Sequence, residues 1–367
     1  MKTKQIFLGI GAVLALNSCS KEDVSTEADL NAVYVTSAVN DYPNISQART
    51  IALDLSINDF SYFDDLANAV EPSECESTAF DEAVGETVAE NIDDIGGFFY
   101  SIYSEINFYM SLVDTSPQYF GANGEYTNLM KKRVKDHEKF WDMKGEISVK
   151  GQHNANFENE DLLRETLPFL YGPTVDVDAL IVDINRINEE STFLIENPLV
   201  SFDGFAINID NFFGKGQGDM IVISDGIVSV MAQTGIDVKI VWTGILAHEW
   251  GHQIQFDNNW TYPVEEGNIP ESTRSTELEA DFFAAYYMTH KRGATYNWKR
   301  VEGFFELFFN IGDCGFDADG HHGTPAQRMD AAQRGYDLAQ GAQKKGHILT
   351  PQEVHEAFIS ELPSIVY

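Results

Sequence analysis

Leu246-Ala247-His248-Glu249-Trp250-Gly251-His252-Gln253-Ile254-Gln255 is the stretch on which the reading of this 367-residue chain turns. Residues four apart on an α-helix lie about one turn apart on one face, so His248 and His252 can direct their Nε2 atoms at a single ion. Glu249 stands roughly 100° further round, beside that ion rather than on it. The pattern is H-E-x-x-H, in which two neutral imidazoles bind Zn2+ and the carboxylate handles the proton of an activated water. The helix this chemistry needs is predicted from Val238 to Phe256. Val241, Ile245, His248, His252 and Gln255 form one stripe there, and no proline interrupts it. In a chain with nine histidines the pattern is expected by chance only about 0.02 times, so it is informative but needs corroboration.

Glu277-Leu278-Glu279-Ala280-Asp281 supplies it. A four-coordinate catalytic zinc takes a third protein ligand and keeps one open position. Glu277 and Asp281 are four apart and share a helix face, whereas Glu279 points nearly the opposite way. Glu277 is therefore expected as the third ligand, and Asp281 as the acceptor that fixes the tautomer of a ligating histidine. Ala280, Ala284 and Met288 flank the same face, small enough at the site for this helix to approach the first. The competing reading makes Glu277, Glu279 and Asp281 a solvated acidic face. A third histidine, where such sites use one, falls six residues after the second, and here that position is Asn258. Glu265 and Glu266 are rival carboxylates in a segment punctuated by Pro263 and Gly267, with no helix to fix them.

His248-Glu249-Trp250-Gly251-His252, Glu277-Leu278-Glu279-Ala280-Asp281 and His322-Gly323-Thr324-Pro325-Ala326-Gln327-Arg328 resemble, in order, the motifs of the neutral zinc metallopeptidase family of bacteria. More broadly the chain looks like a gluzincin, a zinc peptidase with a glutamate third ligand. The resemblance spans residues 219–337. It implies peptide-bond hydrolysis with Zn2+ on His248, His252 and Glu277 and with Glu249 as general base. It also implies an edge strand ahead of the zinc helix that holds substrate in extended form, and Met220 to Ile223 occupies that place in order; an ordinary core strand is the alternative.

Thr324, Pro325 and Gln327 open a helix as N-cap, N1 and N3, which sets His322 on a glycine-hinged corner just outside it. That corner suits a donor to the oxyanion of a tetrahedral intermediate, and equally a structural hydrogen bond. Arg328, in the first turn, can organise the site or pair with one of the many acids. His290, nearly opposite Glu277 in helical angle, is expected at its own helix terminus rather than at the metal. Asp313, Asp317 and Asp319 lack EF-hand spacing and read as an acidic loop.

At the other end, Lys2 and Lys4 precede an apolar run from Ile6 to Leu16, then Leu16-Asn17-Ser18-Cys19. This is a signal-peptide pattern, and the run is too short to span a bilayer. The cysteine resembles a lipobox, with Cys19 as lipidated N-terminus, and Ser20-Lys21-Glu22-Asp23 resembles a surface-export signal of Gram-negative lipoproteins or is an acidic tether. Removing the leader's two lysines leaves 22 basic against 58 acidic residues, a net charge of −36. Such a charge excludes nucleic acid as partner and favours a soluble monomer, with the membrane reached only through the lipid. Cys75 and Cys314 are left as a permitted disulfide or two buried thiols.

The expected architecture is mainly α, of α+β class: residues 1–18 as signal peptide, 19–50 as lipidated tether, 51–199 as a helical N-terminal region, and 200–367 as a gluzincin-like peptidase domain with a small sheet. Within the N-terminal region, apolar spacing predicts one long helix from Val84 to Val113, bent at Gly96-Gly97, and another from Tyr126 to Trp141. His137 and His153 are assigned no chemistry. The functional alternative to a peptidase is a surface-binding or adhesin lipoprotein that keeps a peptidase fold and a structural zinc without turnover.

Overall fold

The computed structural model of the protein describes residues 41–55, 83–84, 86–87, 92–208, 218–264, 268–309, 323–343 and 346–366. The leader, Cys19, Cys75, Cys314, Glu265, Glu266, the aspartates at 313, 317 and 319, and His322 lie outside them.

Three short strands form the one sheet among these residues: β1 (Ile147–Gln152), β2 (Gly204–Asn208) and β3 (Asp219–Ser224). Their order is β1-β3-β2. β1 runs parallel to β3, from Ile147 opposite Asp219 to Gln152 opposite Ser224. β2 runs antiparallel to β3, from Gly204 opposite Ile223 to Asn208 opposite Asp219. β3 is thus the central strand, which corrects the expectation that Met220 to Ile223 offers a substrate edge; its backbone is occupied on both sides, and among the described residues the edge on this side belongs to β2. The unbroken apolar run Met220-Ile221-Val222-Ile223 has the same cause, since a strand covered on both faces needs apolar side chains in both directions. Ile221 and Ile223, with Ala206, belong to one core cluster. Met220 and Val222, with Phe205 and Ile207, belong to the other.

Helices cover both faces, the layered solution for a small sheet with two apolar sides. On one face lie α1 (Pro43–Leu55), α2 (Asp94–Val113), α4 (Glu160–Tyr171), α5 (Val177–Glu190) and the short α6 (Thr192–Glu196). α1 begins inside the stretch expected as tether, because Tyr42 and Ile45 are buried and Asp183 accepts from the backbone N–H groups of Asn44 and Ile45. α2 starts at Asp94 with Asp93 as N-cap, its carboxylate accepting from the Gly96 N–H. Gly96 and Gly97 therefore sit in a first turn, not at a bend in a longer helix.

The other face carries α7 (Asp225–Gln233), α8 (Val238–Asn258), α9 (Ile269–Thr289), α10 (Trp298–Phe309), α11 (Pro325–Gln343) and α12 (Pro351–Val366). α3 (Thr127–Trp141), although earlier in the chain, joins this side: Trp141 and Phe140 pack on Phe283 and Tyr287, and His137 lies between the Trp250 and Tyr287 rings. α8 is buried all round from Ile240 to Gln255 and is the axle of this half. The architecture is the mainly helical α+β fold with a minor sheet that the sequence implies.

Candidate metal centre

α8 brings His248 and His252 to one side of the axle, and α9 crosses it there. The crossing is close because Gly251 has no side chain: a Cβ at that position would come within 3.0 Å of the Ala280 Cα and 3.3 Å of its Cβ. Glu277, one turn before Asp281 on α9, meets both imidazoles as a result. Its carboxylate oxygens lie 3.3 Å from the Nε2 atoms of His248 and His252, and those two nitrogens are 3.1 Å apart. All three residues are buried.

Two donors at about 2.0–2.1 Å from one tetrahedral ion stand about 3.3–3.4 Å apart. The separation of the two nitrogens, and the distance from each to its own Glu277 oxygen (Oε2 for His248, Oε1 for His252), lie within a few tenths of an ångström of that edge length. Two imidazoles and one carboxylate are also the ligand chemistry of a catalytic zinc rather than of a hard cation such as Ca2+ or Mg2+. The residues present therefore fit Zn2+.

Each histidine is oriented by its far nitrogen. The Asp281 Oδ1 atom accepts from Nδ1 of His248 at 3.0 Å. Arg328 holds that carboxylate in turn, donating from Nε to Oδ2 at 2.8 Å and from a terminal nitrogen to Oδ1 at 2.9 Å, and it reaches within 3.7 Å of Glu277. Burial works against a charged His248, but Asp281 and Glu277 outweigh it and raise the imidazole pKa in the metal-free protein. His252 is held from its own helix, with the Gln255 Oε1 atom 2.9 Å from Nδ1.

Glu249 has a different environment. It is fully buried, and Gly204 at the start of β2 lies over it, with the Glu249 Oε1 atom 3.8 Å from where a Cβ would stand. Burial pushes its carboxyl up to about 8; His252, Arg328 and the Ala206 N–H oppose the shift, and the Glu277 charge adds to it. A carboxyl with its pKa near neutrality beside a metal-type cluster is placed to take and return a proton. Gln253, on the next turn, donates to the carbonyls of Met220 at 2.7 Å and Ile207 at 3.4 Å, which ties β3 and β2 to the zinc helix.

The structure thus brings together His248, His252, Glu277, Asp281 and Arg328, with Glu249 alongside. His290 caps α9 and faces the His347 carbonyl, away from the cluster. Glu279 stands outside the metal cluster, yet it is not part of a solvated acidic face: it is fully buried, with Tyr262, Gln255 and His355 on its carboxylate. Sequence reasoning placed Gln255 on the zinc face without giving it a role, and it missed Tyr262 and His355. Only the i, i+3 spacing from His252 to Gln255 carries a local signal; the other two arrive through tertiary packing.

No protein-family model, curated protein or solved structure matches the chain, so its classification rests on this geometry. A buried His-His-Glu cluster built on H-E-x-x-H, with the glutamate from the following helix, is the arrangement of a gluzincin-type zinc peptidase.

Proposed function

We infer that this protein is a zinc-dependent metalloendopeptidase, with His248, His252 and Glu277 as its metal ligands and Glu249 as its general base. The observation that carries the reading is the convergence of the three ligand atoms in one buried cluster with Glu249 beside it. When bound, Zn2+ supplies Lewis acidity, bringing the pKa of water to around 7 and polarising a carbonyl. Glu249 takes the proton as water attacks a peptide carbonyl and delivers it to the leaving amine. Asp281, locked by Arg328, keeps the Nδ1 proton of His248 in place and so keeps Nε2 unprotonated toward the metal.

β2 is the strand beside Glu249, and an extended peptide aligned along its outer edge would present a carbonyl to the site by strand addition. His322 is assigned to the oxyanion. In support, its neighbour Gly323, at φ 94°, lies against Arg274 and Leu278, the latter one residue from Glu277. A surface protein with a merely structural zinc has no use for Glu249, whose desolvation costs stability.

The narrower kinship, with the neutral zinc metallopeptidase family, rests on three motifs that occur in order and meet at one point: Arg328 of the third holds Asp281 of the second, which holds His248 of the first. The protein is assigned to the outer membrane of a Gram-negative bacterium as a monomeric lipoprotein anchored through Cys19, on the strength of Lys2, Lys4, the Ile6 to Leu16 run and Leu16-Asn17-Ser18-Cys19. Among the described residues no helix is long and apolar enough to cross a membrane.

The test is hydrolysis of an unstructured protein such as casein by the purified chain. Activity that disappears with a chelator and returns with stoichiometric Zn2+ is the expected result; chelator-insensitive cleavage would overturn the reading.

A further inference from the structure

Glu279 is two residues past Glu277, roughly 200° further round α9, and so on a different face from the metal-cluster carboxylate. Its neighbours in sequence, Leu278 and Ala280, show what a buried position on this helix ordinarily holds. Burying a carboxylate is expensive unless it is paired and hydrogen-bonded, and here both oxygens are engaged. The Tyr262 hydroxyl donates to Oε2, the Gln255 Nε2 group donates to Oε2 at 3.0 Å, and His355 Nδ1 lies 2.6 Å from Oε1. His355 comes from α12, the last helix, and stacks on Trp260 at 4.1 Å between ring centres. Burial and the Glu279 charge push the Tyr262 hydroxyl well above its ordinary pKa, so it remains a donor.

The consequence lies one residue further on. Gln255 gives its second amide hydrogen to the Thr276 carbonyl at 2.8 Å. With both hydrogens committed to α9, its Oε1 is the atom that faces His252 Nδ1. An amide oxygen only accepts, so His252 must carry its proton on Nδ1, which leaves Nε2 unprotonated where it meets His248 and Glu277. The reversed amide would present N–H groups to His252, select the tautomer with the proton on Nε2, and abolish a ligand. Reversal would also set Oε1 against the Thr276 carbonyl and the Glu279 carboxylate, oxygen against oxygen. The charged partner opposes it more strongly.

We propose that Glu279 is a positioning residue of the metal centre, acting through Gln255 to fix the tautomer of His252, with Tyr262 and His355 holding it in place so that the C-terminal helix is part of the site. Glu277 and Glu279 then serve the same ion from different faces of one helix, the first directly and the second through Gln255 and His252. The inference rests on the zinc peptidase reading above.

The experiment uses the full chain with 15N-labelled histidine. Zinc affinity is measured by competition with a chromogenic chelator, and imidazole tautomers are read in the metal-free protein by long-range 15N–1H correlation. Glu279→Ala is expected to weaken zinc about tenfold, the low end for outer-shell partners, and to move His252 away from the Nδ1–H tautomer while His248 keeps it. Glu279→Gln, whose carbonyl still accepts from Gln255, recovers most of the loss. A double-mutant cycle separates this from mere destabilisation: in a Gln255→Ala background, Glu279→Ala should weaken zinc no further. Additive losses in the cycle, or wild-type affinity and an unchanged His252 tautomer in Glu279→Ala, would overturn the proposal while leaving the peptidase reading intact. A wild-type chain that binds no zinc would overturn both.

Discussion

Arg328 donates two hydrogen bonds to Asp281, at 2.8 and 2.9 Å, and both side chains are buried. This pair joins α11 to α9 at the point where Asp281 accepts from His248, so the charge that orients a metal ligand is itself neutralised from a third helix. Breaking a buried pair by removing one partner leaves the other charge uncompensated. Arg328→Ala should therefore weaken zinc binding roughly 10–100-fold, as outer-shell losses do. Arg328→Lys should recover only part of it, because a point charge cannot reproduce the planar fork. Chelator competition on both variants checks this; wild-type affinity in Arg328→Ala would refute it.

The carboxylates of α9 should rank by their distance from the ion. Glu277→Ala removes a ligand and should lose zinc most severely, Asp281→Ala should follow, and Glu279→Ala should show the smallest of the three losses. Measured dissociation constants in another order would mean that the roles along this helix are misassigned.

Glu249 gives the metal-free protein a distinctive pH dependence. Its carboxyl is raised from 4.5 to about 8 in the fold. Below about pH 4.5 it is protonated both folded and unfolded and makes no difference to stability. Between 4.5 and 8 only the unfolded chain ionises, so stability falls as pH rises; above 8 the cost is constant, on the order of 5 kcal/mol at most. Metal-free Glu249→Gln, a neutral mimic, should thus be more stable than wild type at pH 8.5, with the gap closing toward pH 4.5. Denaturant unfolding across that range is the measurement, and a gap that widens toward acid pH would contradict the assignment.

Close approach at Gly251 makes a prediction about stability that does not involve the metal. A methyl group there would press on the Ala280 backbone at 3.0 Å, and backbone cannot rotate aside. Gly251→Ala should destabilise the metal-free protein by about 1–3 kcal/mol, and by spreading α8 from α9 it should also weaken zinc. A melting temperature at or above that of wild type would show that the helices have room to spare.

Much of this site could be read from the sequence because helix geometry is local. Residues four apart share a face whatever the tertiary fold, which is why the relative placement of His248 and His252, and of Glu277 and Asp281, is legible in the sequence. Caps were equally legible: Thr324 and Gln327 exchange hydrogen bonds at 3.1 and 3.2 Å, and Thr350 and Glu353 do the same at 3.3 and 2.7 Å. What escaped was whatever depends on which surfaces meet. An angle on a helical wheel says that Glu279 faces away from Glu277, not whether α12 will cover it. Likewise the apolar run Met220 to Ile223 is consistent with an edge or a central strand, and only pairing with β1 and β2 decides between them. The boundary at Asp93 was missed because apolar periodicity continues through it, while a single carboxylate caps the helix.

The most direct measurement sets Glu249→Gln against His248→Ala, recording zinc content and peptide hydrolysis for each. Because Glu249 stands beside the ligand cluster and not in it, Glu249→Gln should retain near-stoichiometric zinc while hydrolysis becomes undetectable, and His248→Ala should lose both. Equal zinc loss in the two variants, or retained hydrolysis in Glu249→Gln, would contradict the account.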